Sequence, residues 1–308
     1  MIGQHASPQC PQCGGSLPRQ ALWRTVNCSY CGAVVTLNKR WVERAEFRAA
    51  LQRAQARPAD ASPVDWLTLN GHDHRLLQGL GTGAHADVWL AERHGNARLR
   101  AVLKLQREPG DTLAREVDTL RALHRLQAPD SAYYALRLPQ PLGQGRATGA
   151  HGGPALSLRA WPGFRGSLAD VLALHPHGLN DPRHVVWLWR RVLELLGYLH
   201  RNGWCHRDLR AAHWLIHPAD HGVHLVGWGA ARQHADAGID LRQSACTARD
   251  ALGSHTHAPA FAALLRRASE DRDWCRTLGA EGLHQQAGAA AQADFGPPRF
   301  VAFDPLTA

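Results

Sequence analysis

His206-Arg207-Asp208-Leu209-Arg210-Ala211-Ala212-His213-Trp214-Leu215-Ile216 runs into the turn His217-Pro218-Ala219-Asp220-His221-Gly222 and then the apolar run Val223-His224-Leu225-Val226. Two short apolar runs across a turn holding Pro and Gly specify a hairpin. The residues before it form a polar loop that carries one carboxylate, Asp208, where the chain is about to enter the first strand. Upstream, Asp181-Pro182 has the form of a helix start, an N-cap followed by proline at the first helical position. Trp187, Val192, Leu196 and Leu199 continue that helix. Downstream the chain passes directly into Gly227-Trp228-Gly229.

Further toward the N-terminus, residues 166–172 have a helical pattern, and Leu156 to Pro162 has that of a strand. A helix is expected from Thr112 to about Leu126, with Leu113, Val117, Leu120 and Leu123 on one face. Before it come strands at Arg75–Gly79, Ala86–Glu92 and Leu99–Leu105, with a glycine cluster between the first two and a turn at Gly95-Asn96 between the others. One of these strands carries an unusual residue. Of 35 Lys and Arg, only Lys39 and Lys104 are lysine. A lysine kept in a chain so given to arginine suggests a site where a compact point charge is needed and a wide planar fork is not.

Taken in order, these segments resemble a protein kinase, over about 180 residues. Gly81-Thr82-Gly83-Ala84-His85-Ala86-Asp87-Val88 is similar to the GxGxxGxV loop, with Ala86 in place of the third glycine. Ala101-Val102-Leu103-Lys104 is similar to the VAIK strand, and Glu116 falls where the helix glutamate of the Lys–Glu pair is expected. His206 to His213 resembles the HRDLxxxN loop. The resemblance implies an α+β, two-lobed kinase-like fold, a β-rich lobe over about 64–160 and a compact α-rich lobe over about 161–308. It also implies nucleotide contacts at Gly81, Gly83, Val88, Lys104 and Glu116, and Asp208 as the base that accepts the substrate hydroxyl proton.

The departures from the family pattern concern the metal. Kinases hold Mg²⁺ with the Asn of the catalytic loop and the Asp of DFG. Those places here are His213 and Gly227. Neutral imidazole is a poor ligand for Mg²⁺, which takes oxygen donors, and glycine has no side chain. Only ten residues separate Gly229 from Asp240, and no APE-like triplet follows. Asp240 matches the family's structural aspartate that braces the catalytic loop. The resemblance therefore allows two readings of Asp208, catalytic base and structural carboxylate.

The N-terminal region is of another kind. Cys10-Pro11-Gln12-Cys13 and Cys28-Ser29-Tyr30-Cys31 are two CxxC pairs fourteen residues apart, each followed by glycine. Four thiolates at this spacing are a tetrahedral zinc signature, resembling the zinc-ribbon family over about 8–38. The competing reading is disulfides or redox pairs, and nothing in the sequence suggests an oxidising compartment. Strands are expected at Ala21–Asn27 and Ala33–Leu37. Zinc here is structural, since four thiolates leave no open position. Cys205, Cys246 and Cys275 are scattered and read as small apolar residues. The expected organisation is a ribbon at 1–38, a helical linker at 39–63 and the kinase-like domain at 64–308. Residues 287–293, rich in Ala, Gly and Gln, are expected to form a loop.

Residues 1–60 hold eight Lys and Arg against three acids, so +5 of the net +9 lies there. Such a patch attracts acidic or phosphate-rich partners. No apolar run approaches the roughly 18 residues of a membrane span, and the start lacks a secretory pattern, so a cytoplasmic protein is expected. Three functions follow. The first is a pseudokinase that binds a protein partner and holds ATP weakly or not at all. The second is an ATP-dependent serine/threonine kinase with an atypical metal site. The third is nucleic-acid binding through the ribbon and the basic segment.

Overall fold

The computed structural model describes residues 10, 15, 17, 25–31, 34–36, 66–94, 99–149, 151–161, 166–218 and 221–304. The expected linker at 39–63, Cys13, the Gly95-Asn96 turn and Asp220 lie outside them.

Near the N-terminus, β1 (Thr25–Asn27) and β2 (Val34–Thr36) form an antiparallel pair. Six strands follow: β3 (Trp66–Leu69), β4 (His72–Thr82), β5 (Ala86–Arg93), β6 (Leu99–Gln106), β7 (Pro141–Gly149) and β8 (Gly153–Arg159). Between β6 and β7 lie α1 (Thr112–His124) and the short α2 (Ser131–Ala135). The rest is mostly helical: α3 (Leu168–Leu174), α4 (Pro182–Arg201), α5 (Ala237–Leu252), α6 (Pro259–Glu270) and α7 (Arg272–Phe295). Two small two-stranded antiparallel pairings sit among these helices. One joins β10 (Trp214–His217) to β11 (Gly222–Leu225), and the other joins β9 (Trp204–Cys205) to β12 (Arg232–Gln233).

The α+β class expected from the sequence fits, but the two-lobed kinase-like arrangement is corrected. The six strands close into an antiparallel barrel in the order β3-β4-β5-β6-β8-β7. Closure depends on β3, which pairs with β4 on one side and, through Leu67↔Gly149 and Thr68↔Thr148, with β7 on the other. Gly149 makes this possible: its φ is +107°, and a Cβ there would stand 2.5 Å from the Trp66 carbonyl oxygen. The barrel interior is filled by Leu67, Leu69, Leu76, Ala91, Leu103, Leu105, Ala147 and Ala155, as small barrels require.

Strand alternation then sets the site. On β6, Ala101, Leu103 and Leu105 are buried, and Leu103 and Leu105 line the interior. Val102 and Lys104 must therefore face outward, toward the larger core that joins α1 to the C-terminal helices. Leu156, the cross-strand partner of Lys104, belongs to that same core.

The helices are placed by their sequence signals. Asp181 caps α4 by accepting from the Arg183 N–H at 2.9 Å, and Pro182 occupies the first turn. Thirteen of the twenty residues of α4 are buried, so it is the central helix of this layer. Ser167 and Asp170 form a reciprocal capping box at the start of α3. The loop expected at 287–293 is instead helical, part of α7, whose backbone breaks only at Gly279. The helix propensity of five alanines outweighs that of the single Gly288 in that stretch.

Candidate functional site

Lys104 and Glu116 meet where β6 faces α1. The Lys104 ammonium donates to both Glu116 carboxylate oxygens, at 2.6 and 2.8 Å. The lysine side chain is 13% exposed and the glutamate 3%, so water screens the pair only weakly. The glutamate also accepts from the Trp228 backbone N–H at 3.4 Å, linking α1 to the turn after β11. The Trp228 side chain itself is fully buried: its indole N–H donates to the Leu225 carbonyl, and its ring packs edge-on to His206.

The glycine turn lies at the tip of β4 and β5. Gly81 pairs with Val88, and the Gly83 N–H closes the turn by donating to the Ala86 carbonyl at 2.9 Å. Val88 pairs in turn with Lys104. A Cβ at Gly81 would meet nothing within 4 Å, so this stretch borders open space.

The loop at 206–209 is held from beneath by one face of α5. Asp240, Gln243 and Thr247, spaced i, i+3 and i+7, all reach it. Asp240 accepts from the His206 and Arg207 N–H groups, each at 2.7 Å. Gln243 accepts from the Leu209 N–H, and the Thr247 hydroxyl donates to the Leu209 carbonyl. Arg207 has φ +67°, a conformation that costs an L-residue energy. The charge-assisted bonds from Asp240 offset that cost. The bracing role expected for Asp240 thus has geometry behind it. Gln243 and Thr247 were not singled out in the sequence, although their helical spacing from Asp240 is visible there.

His206 is enclosed and neutral. Its Nδ1 accepts from the Asp208 N–H, so Nε2 carries the proton and donates to the Val226 carbonyl at 3.1 Å. Burial pushes its pKa down to about 4. Asp208 is partly exposed, with Arg210 at 2.7 Å and the His213 Nδ1 at 3.5 Å from its carboxylate. His213 donates from Nδ1 to the Asp208 carbonyl at 2.8 Å, and burial lowers its pKa as well. Gly227 follows at φ +82°. Neither position contributes a side-chain oxygen.

Of the four ribbon cysteines, Cys10, Cys28 and Cys31 lie within the described residues. Their sulfurs are within 4.8 Å of one another, and this group could hold a metal. The Cys10 and Cys31 sulfurs stand 3.7 Å apart without a disulfide. Two thiolates each about 2.3 Å from a tetrahedral zinc would stand about 3.8 Å apart, so the observed spacing suits that ion. A second cluster, His200, Cys205 and Asp240, is equally close-set. Its chemistry differs: Asp240 is already committed to backbone N–H groups and His200, while the Cys205 thiol donates to the Ala235 carbonyl and burial pushes its pKa up to about 12. That cluster is a bracing network.

No family model matches the chain. It is 25% identical over 166 residues to mitogen-activated protein kinase kinase kinase kinase 3 of Homo sapiens and of Mus musculus, covering 52% of this chain and 16% of each relative. For the Rattus norvegicus protein the identity is 26% over 168 residues, covering 52% and 17%. The relationship is kinase-like. It is distant, and the chain spans about a sixth of the length of these relatives. The similarity therefore supports a kinase-like domain and nothing finer. Among the described residues no helix is long and apolar enough to cross a membrane.

Proposed function

We propose that this chain is a pseudokinase, a kinase-like module that acts by binding a protein partner and holds nucleotide weakly or not at all. The observation that carries the proposal is the pair His213 and Gly227. The two places where the resemblance expects oxygen ligands for Mg²⁺ hold a neutral imidazole and a glycine. Phosphoryl transfer relies on cations to neutralise the charge that develops, and this loop supplies only Asp208 nearby. The short connection from Gly229 to α5 supports the same reading, because it leaves little chain from which to build a platform for a protein substrate. In this view the Lys104–Glu116 pair and the Asp240 brace hold a binding surface in shape.

Calorimetry with ATP, with and without Mg²⁺, tests the proposal. The expected result is binding weaker than about millimolar and unchanged by the metal. Transfer of labelled phosphate from ATP that is abolished by Asp208→Asn would overturn it.

One observation favours a second reading, an active serine/threonine kinase with an atypical metal arrangement. Lys104, Glu116 and Asp208 are all present, and the first two are joined. That reading predicts a rise in unfolding temperature with ATP that depends on Mg²⁺ or Mn²⁺.

A further inference from the structure

His213 and Gly227 compete for one volume. A Cβ built on Gly227 would lie 2.5 Å from the His213 Cε1 and Nε2 atoms and 2.7 Å from Nδ1. Those atoms belong to the body of a ring, so no flexible tip can swing aside to make room. The ring is also tethered. Nδ1–H donates to the Asp208 carbonyl at 2.8 Å, the His213 N–H donates to the Arg210 carbonyl at 2.9 Å, and the His213 carbonyl accepts from the Val226 N–H at 3.0 Å. The three near-equal distances place that Cβ directly over the face of the ring, so the imidazole blocks position 227 with its flat surface.

We infer that His213 and Gly227 are interlocked, the imidazole filling the space that any side chain at 227 requires and so closing the place from which an acidic residue could offer oxygen to a divalent cation beside Asp208. The glycine is then a consequence of the histidine as much as a loss of its own, and restoring an acid at 227 requires removing the ring as well. This rests on the reading of 213 and 227 as the cation-ligand positions.

A stability cycle tests the interlock directly. Urea unfolding is measured for the full chain, Gly227→Ala, His213→Ala and the double variant. Placing an L-residue at a left-handed position alone costs about tenfold in the folding constant. Gly227→Ala in the otherwise unaltered chain is expected to cost at least another tenfold through the ring, a coupling of the size contacting residues show. In the His213→Ala background only the first factor remains. Equal losses in both backgrounds would overturn the inference. If Gly227→Ala does not fold, recovery of folding by adding His213→Ala supports it, and failure of both variants overturns it.

A second arm reads the cation. His213→Asn with Gly227→Asp is expected to gain a rise in unfolding temperature with millimolar Mn²⁺ and ATP, and Gly227→Asp alone is not. A gain by the single variant, or none by the double, overturns the closing role. Binding of ATP and Mg²⁺ by the unaltered chain would sink the proposed function while leaving the stability cycle untouched, so the two failures are distinguishable.

Discussion

Lys104 shows what a single residue contributes when its partner is buried. Glu116 is almost wholly enclosed, and the ammonium at 2.6 and 2.8 Å is the charge that compensates it. Removing one partner of such a pair strands the other, at a cost of about 3 kcal/mol or more. Lys104→Met is therefore expected to lower the unfolding free energy by about 3 kcal/mol in urea, with Lys104→Met/Glu116→Gln recovering part of the loss. The buried histidines make a second prediction. His206 and His184 are held by burial down to about 4, and His221 and His224 to about 3. The unfolded chain takes up these protons as pH falls through about 6.5, and the folded chain does not until pH 4 to 3. The stabilisation is thus complete above pH 6.5 and is lost progressively below it, on the order of 2 kcal/mol per enclosed ring. Urea midpoints at pH 7.0, 5.5 and 4.5 should fall in that order, and a flat series would refute the assignment of neutral rings.

At the scale of elements, the loop at 206–209 depends on α5 for its shape. Asp240→Asn keeps the size of the side chain but replaces one acceptor oxygen by a donor, which must then face a backbone N–H, either that of His206 or that of Arg207. Arg207 sits at a positive φ that these bonds stabilise, so the weakened loop is free to relax away from it, and a loss of about 2 to 3 kcal/mol is expected. Faster hydrogen exchange at His206 and Arg207 should accompany it. Asp240 could be picked out from the sequence by its place shortly after a recognisable hairpin, whereas the helix that carries it, Ala237–Leu252, was not read there. Other elements were harder to read. Pro141–Gly149 holds proline, three glycines and no alternation, so nothing local marks it as the strand that closes the barrel. It forms because Gly149 lets β3 approach, a tertiary condition absent from local propensity. The candidate site was easier to anticipate than the sheet. Lys104, Glu116 and Asp240 are marked by residue type and order, while the steric conflict between His213 and Gly227 depends on a ring orientation that only coordinates reveal.

For the whole molecule, the decisive contact joins the cysteine knuckle to the C-terminal half. Ser29 accepts from the Arg191 guanidinium at 3.1 Å, and the same guanidinium donates to Glu194 and to the His221 carbonyl. Beside it the Tyr30 ring meets His221 and Phe300 edge-on, while His221 is stacked between Trp187 and Phe300. The knuckle thus covers an aromatic cluster contributed by α4, the β10–β11 turn and the C-terminal segment. Tyr30 serves packing in this arrangement. If a metal holds Cys10, Cys28 and Cys31, its removal is expected to loosen Ser29 and Tyr30: among the described residues, Leu17 and Val35 are the buried members of that cluster besides Cys10 and Cys28. Chelation of the purified full chain is expected to release about one zinc per molecule, to lower the unfolding temperature and to raise hydrogen exchange around His221 and Phe300. Arg191→Ala should reproduce the increase in exchange while the zinc stays bound, which separates docking from metal binding. Loss of zinc with unchanged exchange at His221 and Phe300 would mean that the knuckle keeps its seat without the metal, and the ribbon would then be only a neighbour of the aromatic cluster and not its cover.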